Sequence, residues 1–330
     1  MSSVKTLRTL ALTAFVFAFV VVAIGAYTRL TDAGLGCPDW PTCYNHLTVP
    51  ESKAAINQAE KAYPNSPVHV IKAWTEMTHR YVASILGLLI FVLAIVAIRS
   101  RYKTKISLWL PLTLIILVVF QALLGKWTVT MKLLPLVVMG HLLGGFTLLS
   151  LLWLLYMRAS EYMGAKPLNL SYLKPWATIA LIIIAIQIAL GGWTSANYAA
   201  LVCPNFPYCI SHEFFPAFAF TQAFNVFGHN AITDHYAVQV TIQMTHRIGA
   251  LITATYLGLL AIALLLKKYN PGLRKIGLVM LIFLSLQVLL GIMNVILLLP
   301  LSIALLHNLV AAILLLSVVT LNYYIRAADY

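Results

Sequence analysis

Apolar residues gather into eight long blocks along the chain, at roughly 9–27, 77–98, 106–129, 136–157, 175–194, 244–266, 276–295 and 301–323. Each is close to the length an α-helix needs to cross a bilayer, about 20 residues at about 1.5 Å rise through some 30 Å of hydrocarbon. The pattern predicts an all-α integral membrane protein with eight transmembrane helices. Composition agrees: 61% of the 330 residues are hydrophobic and 9% charged, and the mean hydropathy is +0.90, outside the range of a soluble globular domain.

Charge adds direction. The net charge is +13, but the basic residues sit on alternate connections. Lys5 and Arg8, the cluster 99–105, Arg158 with Lys166 and Lys174, the cluster 267–275 and Arg326 supply 14 of the 22 Lys and Arg, opposed only by Glu161 and Asp329. By the positive-inside rule this face, with both termini, is expected to be cytoplasmic. The basicity is therefore a topology signal, and no nucleic-acid partner is expected. The first block has the charged start and apolar run of a signal peptide. Cleavage is not expected, because its end, Gly25-Ala-Tyr-Thr28, has a counterpart in Gly191-Gly-Trp-Thr194.

That counterpart belongs to a longer self-match. An offset of 166 pairs Gly25 with Gly191, Cys37 with Cys203, Pro38 with Pro204, Pro41 with Pro207, Cys43 with Cys209, Gln121 with Gln287, Gly125 with Gly291 and His141 with His307. With one extra residue in the second long loop, Met77-Thr-His-Arg80 matches Met244-Thr-His-Arg247. The chain is expected to be two tandem four-helix-bundle repeats, 1–160 and 161–330, each with an even number of spans and hence parallel about the membrane normal. In each repeat the first outer loop is long, 29–73 and 195–241, and is expected either to cover the outer end of the bundle or to be solvated.

Four of the nine histidines, His79, His141, His246 and His307, occupy matched places near the outer ends of even-numbered spans. His141 and His307 lie about 8–9 Å below the outer boundary at helical rise. His79 and His246 sit nearer the hydropathy edge, and would be level with them if their helices began a turn earlier. A single intramembrane histidine is ordinarily a packing residue; four in duplicated positions point to metal binding. No pair has both a third and a fourth Asp, Glu or Cys ligand beside it, which disfavours zinc, whereas two facing imidazoles in a four-helix bundle suit the axial positions of a heme iron. Arg80 and Arg247 follow a histidine directly and could each pair with a heme propionate or simply reach the interface. His46, His69, His212, His229 and His235 are expected in loops, without a pattern.

The repeats differ at one telling position. Three before His79 stands Glu76; three before His246 stands Gln243. Residues three apart share a helix face, and ionisable groups at membrane depth are functional candidates. The first half is thus expected to be reactive, with Glu76 moving protons or stabilising positive charge, and the second to hold a redox heme; a solvated interfacial Glu76 is the plainer alternative. The four cysteines form two C-x5-C pairs on the expected outer side, where disulfides are permitted. They are read either as staples or as reducible pairs.

The motifs Gly34-Leu-Gly-Cys-Pro-Asp-Trp-Pro41, Glu76-Met-Thr-His-Arg80, Gly191-Gly-Trp-Thr194 and Met244-Thr-His-Arg247, in this order across all eight spans, resemble heme A synthases of the cysteine-containing bacterial type. The resemblance implies oxidation of a ring methyl of heme O to a formyl group, giving heme A for cytochrome oxidase, in the bacterial cytoplasmic membrane. It implies that His79 and His141, with Arg80, bind the heme O substrate and that His246 and His307, with Arg247, hold a permanent heme b. Glu76 falls on the glutamate of the family's E-x-x-H motif. The pairs Cys37/Cys43 and Cys203/Cys209 match cysteines of the family, and the resemblance implies a structural disulfide for the second. A heme O synthase and a quinol or other electron donor are the implied partners. An iron held by two histidines has no open position for oxygen, so either one histidine releases or the methyl is oxidised first and water supplies the oxygen. The rival functions are a diheme b-type cytochrome carrying electrons from quinol, which leaves the Glu76/Gln243 difference unexplained, and a heme carrier, for which no span shows the expected mid-membrane break.

Overall fold

A computed structural model describes residues 2–104, 107–160, 170–225, 234–267 and 270–327. Outside these lie His229, the start of the expected span 106–129, and Lys105, Glu161, Lys166, Lys268 and Asp329 of the charge pattern. Among the described residues, eight helices are long and apolar enough to cross a membrane. The chain divides into two compact units, Met1–Tyr162 and Met163–Tyr330.

The first unit contains α1 (Ser2–Leu30), a short α2 (Lys53–Ala62), α3 (Val70–Thr104), α4 (Trp109–Thr130) and α5 (Pro135–Ala159). Helix α1 packs on α3 and α5, and α4 packs on the same two, so the four long helices close a ring in which α3 and α5 stand opposite. Lipid offers no hydrophobic drive between helices, so close approach depends on small residues. Ala11, Ala14 and Ala18 supply it as the buried face of α1, while Leu12, Val16 and Val20 point outward. Helix α1 is a wall of this bundle.

The second unit has α6 (Lys174–Ala196), a four-residue α7 (Phe220–Ala223), α8 (His235–Leu265), α9 (Pro271–Ile296) and α10 (Leu301–Ala327). Its ring runs α6, α8, α9, α10 and back to α6, placing α8 opposite α10. Proline stands in the first turn of α5, α6 and α9, where its missing N–H costs nothing. Asn270 caps α9 by accepting from the Leu273 N–H (3.0 Å) and also accepts from the Tyr324 hydroxyl (2.8 Å). Asn322 on α10 donates to the Ala177 carbonyl on α6 (2.7 Å).

Two helix starts differ from the hydropathy pattern. Helix α3 begins at Val70 rather than near 77, and α8 at His235 rather than near 244. These first turns carry polar residues that hydropathy cannot see. In α8 the Asp234 carboxylate accepts from the Ala237 N–H (3.0 Å) and caps the helix. In α3 the buried Ala73 and Met77 are packed by the preceding loop. His235, expected in a loop, therefore opens a helix, and His79 and His246 lie well inside theirs.

Candidate heme sites

The loop between α1 and α3 folds onto the start of α3. Cys37 and Cys43 form a disulfide that is fully buried and packs with Tyr44, Val49, Ala59, Ala73 and Met77. Asp39 shapes the turn: its carboxylate accepts from the Thr42 hydroxyl and from the Tyr44 and Asn45 N–H groups (2.5, 2.6 and 2.9 Å). The Tyr44 phenol donates to the Pro67 carbonyl (3.1 Å), and burial, followed by the Glu60 and Asp39 charges, pushes its pKa up. In the second unit Cys203 and Cys209 form the corresponding disulfide, buried against Val240 and Met244.

Glu76 is 4% exposed, so the solvated alternative does not hold. One carboxylate oxygen accepts the Cys37 N–H (2.9 Å) and the other pairs with Arg80 (2.5 Å). It thus ties α3 to the disulfide turn. The Arg80 guanidinium also donates to the carbonyls of Asp39, Pro41 and Thr42 (2.9, 3.3 and 2.7 Å).

Arg247 makes the matched set of bonds, to the carbonyls of Asn205, Pro207 and Tyr208 (2.8, 3.4 and 3.0 Å). Where Arg80 meets a carboxylate, Arg247 donates instead to the Cys203 carbonyl (2.6 Å), and Gln243 turns to the Ala200 carbonyl (3.3 Å). The arginines, considered from sequence only as propionate partners or interfacial groups, clamp the disulfide loops onto α3 and α8. The Nε of Arg247 is buried without a partner.

His79 on α3 and His141 on α5 face each other from opposite helices, with ring centres 6.5 Å apart and planes at 86°. An imidazole nitrogen sits about 2 Å from a bound metal, and the ring centre lies roughly 1 Å further on. Two imidazoles on one metal therefore have centres about 6 Å apart, close to the separation found. Among the described residues no group of three or more His, Cys, Asp or Glu could hold a metal ion, so two imidazoles would need the remaining ligands from elsewhere, as a porphyrin provides.

Each of the four rings rests on a helical glycine. A Cβ at Gly25 would come within 2.9 Å of His79 Cε1, at Gly125 within 3.6 Å of His141, at Gly191 within 3.1 Å of His246 and at Gly291 within 3.1 Å of His307. The Nδ1 atoms of His79, His141 and His307 are buried without a hydrogen-bond partner. In the second unit Gln187 lies 3.1 Å from His246 Nδ1, and Gln287 lies 3.2 Å from His307 Nε2. In the first, the Gln121 side chain turns instead toward Gly144, and its Nε2 is buried without a partner. Buried imidazoles seated on glycine, one pair of them at a spacing that suits a shared metal, fit a heme better than ordinary packing.

The glycine seats were visible in the sequence only as matches in the repeat; nothing there said that they receive the rings. The Asp39 turn and the Gln187 contact carried no sequence signal.

The cytochrome oxidase assembly protein family COX15-CtaA matches residues 8–319. A heme A synthase of Shewanella oneidensis is 45% identical over 317 residues, covering 94% of each chain. One of Neorickettsia sennetsu is 28% identical over 318 residues, covering 89% of this chain and 91% of its own length. One of Flavobacterium johnsoniae is 25% identical over 325 residues, covering 91% and 92%. With nearly its whole length matched, eight membrane-length helices and both cysteine pairs closed as disulfides, the chain belongs to the COX15-CtaA family of cytochrome oxidase assembly proteins, alongside the heme A synthases.

Proposed function

We propose that this protein is a heme A synthase that oxidises a ring methyl of heme O to the formyl group of heme A. Its two units, read as tandem repeats, divide the work: the first takes heme O between His79 and His141, and the second keeps a heme b between His246 and His307. The observation that carries this reading is the His79–His141 pair, opposed across the ring at a spacing that suits one metal between them. The glycine seats under all four rings support it.

When bound, the iron porphyrins supply redox chemistry; the chain's residues bind, orient and manage protons. Glu76 is the acid–base group of the first unit. It is buried, held by Arg80 and the Cys37 N–H, and replaced by Gln243 in the second. It would take up protons released as the methyl is oxidised. Arg80 and Arg247 hold the disulfide loops against α3 and α8, and Arg247 Nε remains available to a propionate. The disulfide loops lie on the outer side of the bacterial cytoplasmic membrane and the basic connections inside. A heme O synthase would supply the substrate, and a quinol or another redox partner would exchange electrons.

The test is expression together with a heme O synthase in a host that makes no heme A, followed by chromatography of the extracted hemes. Formyl heme is expected. Heme B alone, with heme O unconsumed, would leave a diheme cytochrome as the better reading.

A further inference from the structure

The two units differ behind one matched pair of histidines. In the second unit, Gln187 on α6 stands one turn before Gly191, so one face of that helix both seats the His246 ring and places an amide 3.1 Å from its Nδ1. The same amide nitrogen donates to the His246 backbone carbonyl (3.2 Å). The matched position in the first unit, one turn before Gly25, is Val21. Valine has no group to offer, and His79 Nδ1 is buried without a partner.

The other pair does not distinguish the units in this way, because His141 and His307 are placed alike, each with a backbone carbonyl, of Gln121 or Gln287, beside the ring. Gln287 touches Nε2 of His307, the nitrogen a metal would take, and so is no tether for a ligating ring. The difference falls on His79 and His246.

A histidine that binds a metal through Nε2 carries its proton on Nδ1, and an acceptor for that proton fixes both tautomer and ring orientation. A half-turn of the Gln187 amide exchanges its nitrogen and oxygen. It brings Oε1, buried without a partner in the present orientation, onto the Nδ1 proton, in exchange for the present donation of Nε2 to the His246 carbonyl. We propose that Gln187 is a positioning residue that makes His246 a fixed axial ligand, and that Val21 leaves His79 as the ligand that lets go when heme is exchanged or oxidised. This rests on the heme reading above and explains how similar bundles can hold one heme permanently and pass the other through.

The test compares wild type with Gln187→Val and Val21→Gln, each purified with heme in both units. Transfer of heme to excess apomyoglobin is followed with chromatography of what remains, alongside the midpoint potential of the second-unit heme. Loss of such a supporting hydrogen bond weakens metal binding about ten- to a hundred-fold. Gln187→Val is expected to release heme B faster by about that factor and to raise the midpoint potential, because an imidazole whose Nδ1 proton is not accepted is a poorer donor to the oxidised iron. Heme O release should be unchanged in that variant and slower in Val21→Gln. Unchanged heme B release in Gln187→Val overturns the proposal, and so does faster release with an unmoved potential, which marks a packing role only. A wild type that holds both hemes beside such a result leaves the function standing; a wild type without heme B overturns both.

Discussion

Replacing Glu76 by glutamine copies the second unit's residue into the first, and the surroundings of the carboxylate set the size of the effect. One oxygen accepts the Cys37 N–H at 2.9 Å and the other meets Arg80 at 2.5 Å. An amide of the same shape can keep one of these, with its oxygen toward Cys37, but then presents its NH2 to the guanidinium. The loss is one charge-assisted hydrogen bond, about 1.5–3 kcal/mol. It should stay below the roughly 3–5 kcal/mol of a stranded buried charge, because Arg80 retains the carbonyls of Asp39, Pro41 and Thr42. The bundle and its hemes should therefore survive. Turnover should not: loss of a positioned proton-transfer group costs about 10²–10⁴-fold in rate. Heme content from absorption spectra and heme A formation from chromatography of membrane extracts separate the two effects. Wild-type turnover in Glu76→Gln would refute the assignment. Loss of heme in parallel with turnover would show that the residue holds the site rather than acting in it.

Gly25→Ala and Gly191→Ala each push a methyl against a histidine ring, at 2.9 and 3.1 Å. Overpacking of this kind costs about 1–3 kcal/mol, so extracted hemes should fall for the first unit in one variant and the second in the other, with equal loss of both arguing against separate sites. Cys37→Ser with Cys43→Ser removes a short covalent loop, worth about 2–3 kcal/mol in chain entropy, and frees the N–H that holds Glu76; heme A formation should drop while heme B stays, whereas loss of heme B would contradict the coupling. Turnover under labelled oxygen gas and in labelled water separates histidine release from water attack, and label from gas in the formyl group would point to an opened iron position.

The parts legible in the sequence were those that recur or that hydropathy records. Eight spans follow from apolar length, and the cysteine pairs and histidines stand out because they repeat at an offset of 166, or 167 for His79 and His246. Glu76 stands out because the repeat breaks there. The starts of α3 and α8 were not legible, since their first turns mix polar residues such as Lys72 and His235 with apolar ones and are stabilised by Asp234 or by a folded loop. The partners of Arg80 and Arg247 were hidden for a similar reason: they are backbone carbonyls from loops some forty residues away, and carbonyls leave no trace in residue identity. Gln187 and Val21 stand at matched positions, yet only side-chain placement shows that Gln187 reaches a histidine ring.

The division of labour between the units is tested most directly by the hemes extracted from two double variants made in a host that supplies heme O. His79→Ala with His141→Ala should keep heme B and lose heme O and heme A; His246→Ala with His307→Ala should lose heme B. If either double variant retained the full wild-type set of hemes, the four histidines would not be the ligands proposed here.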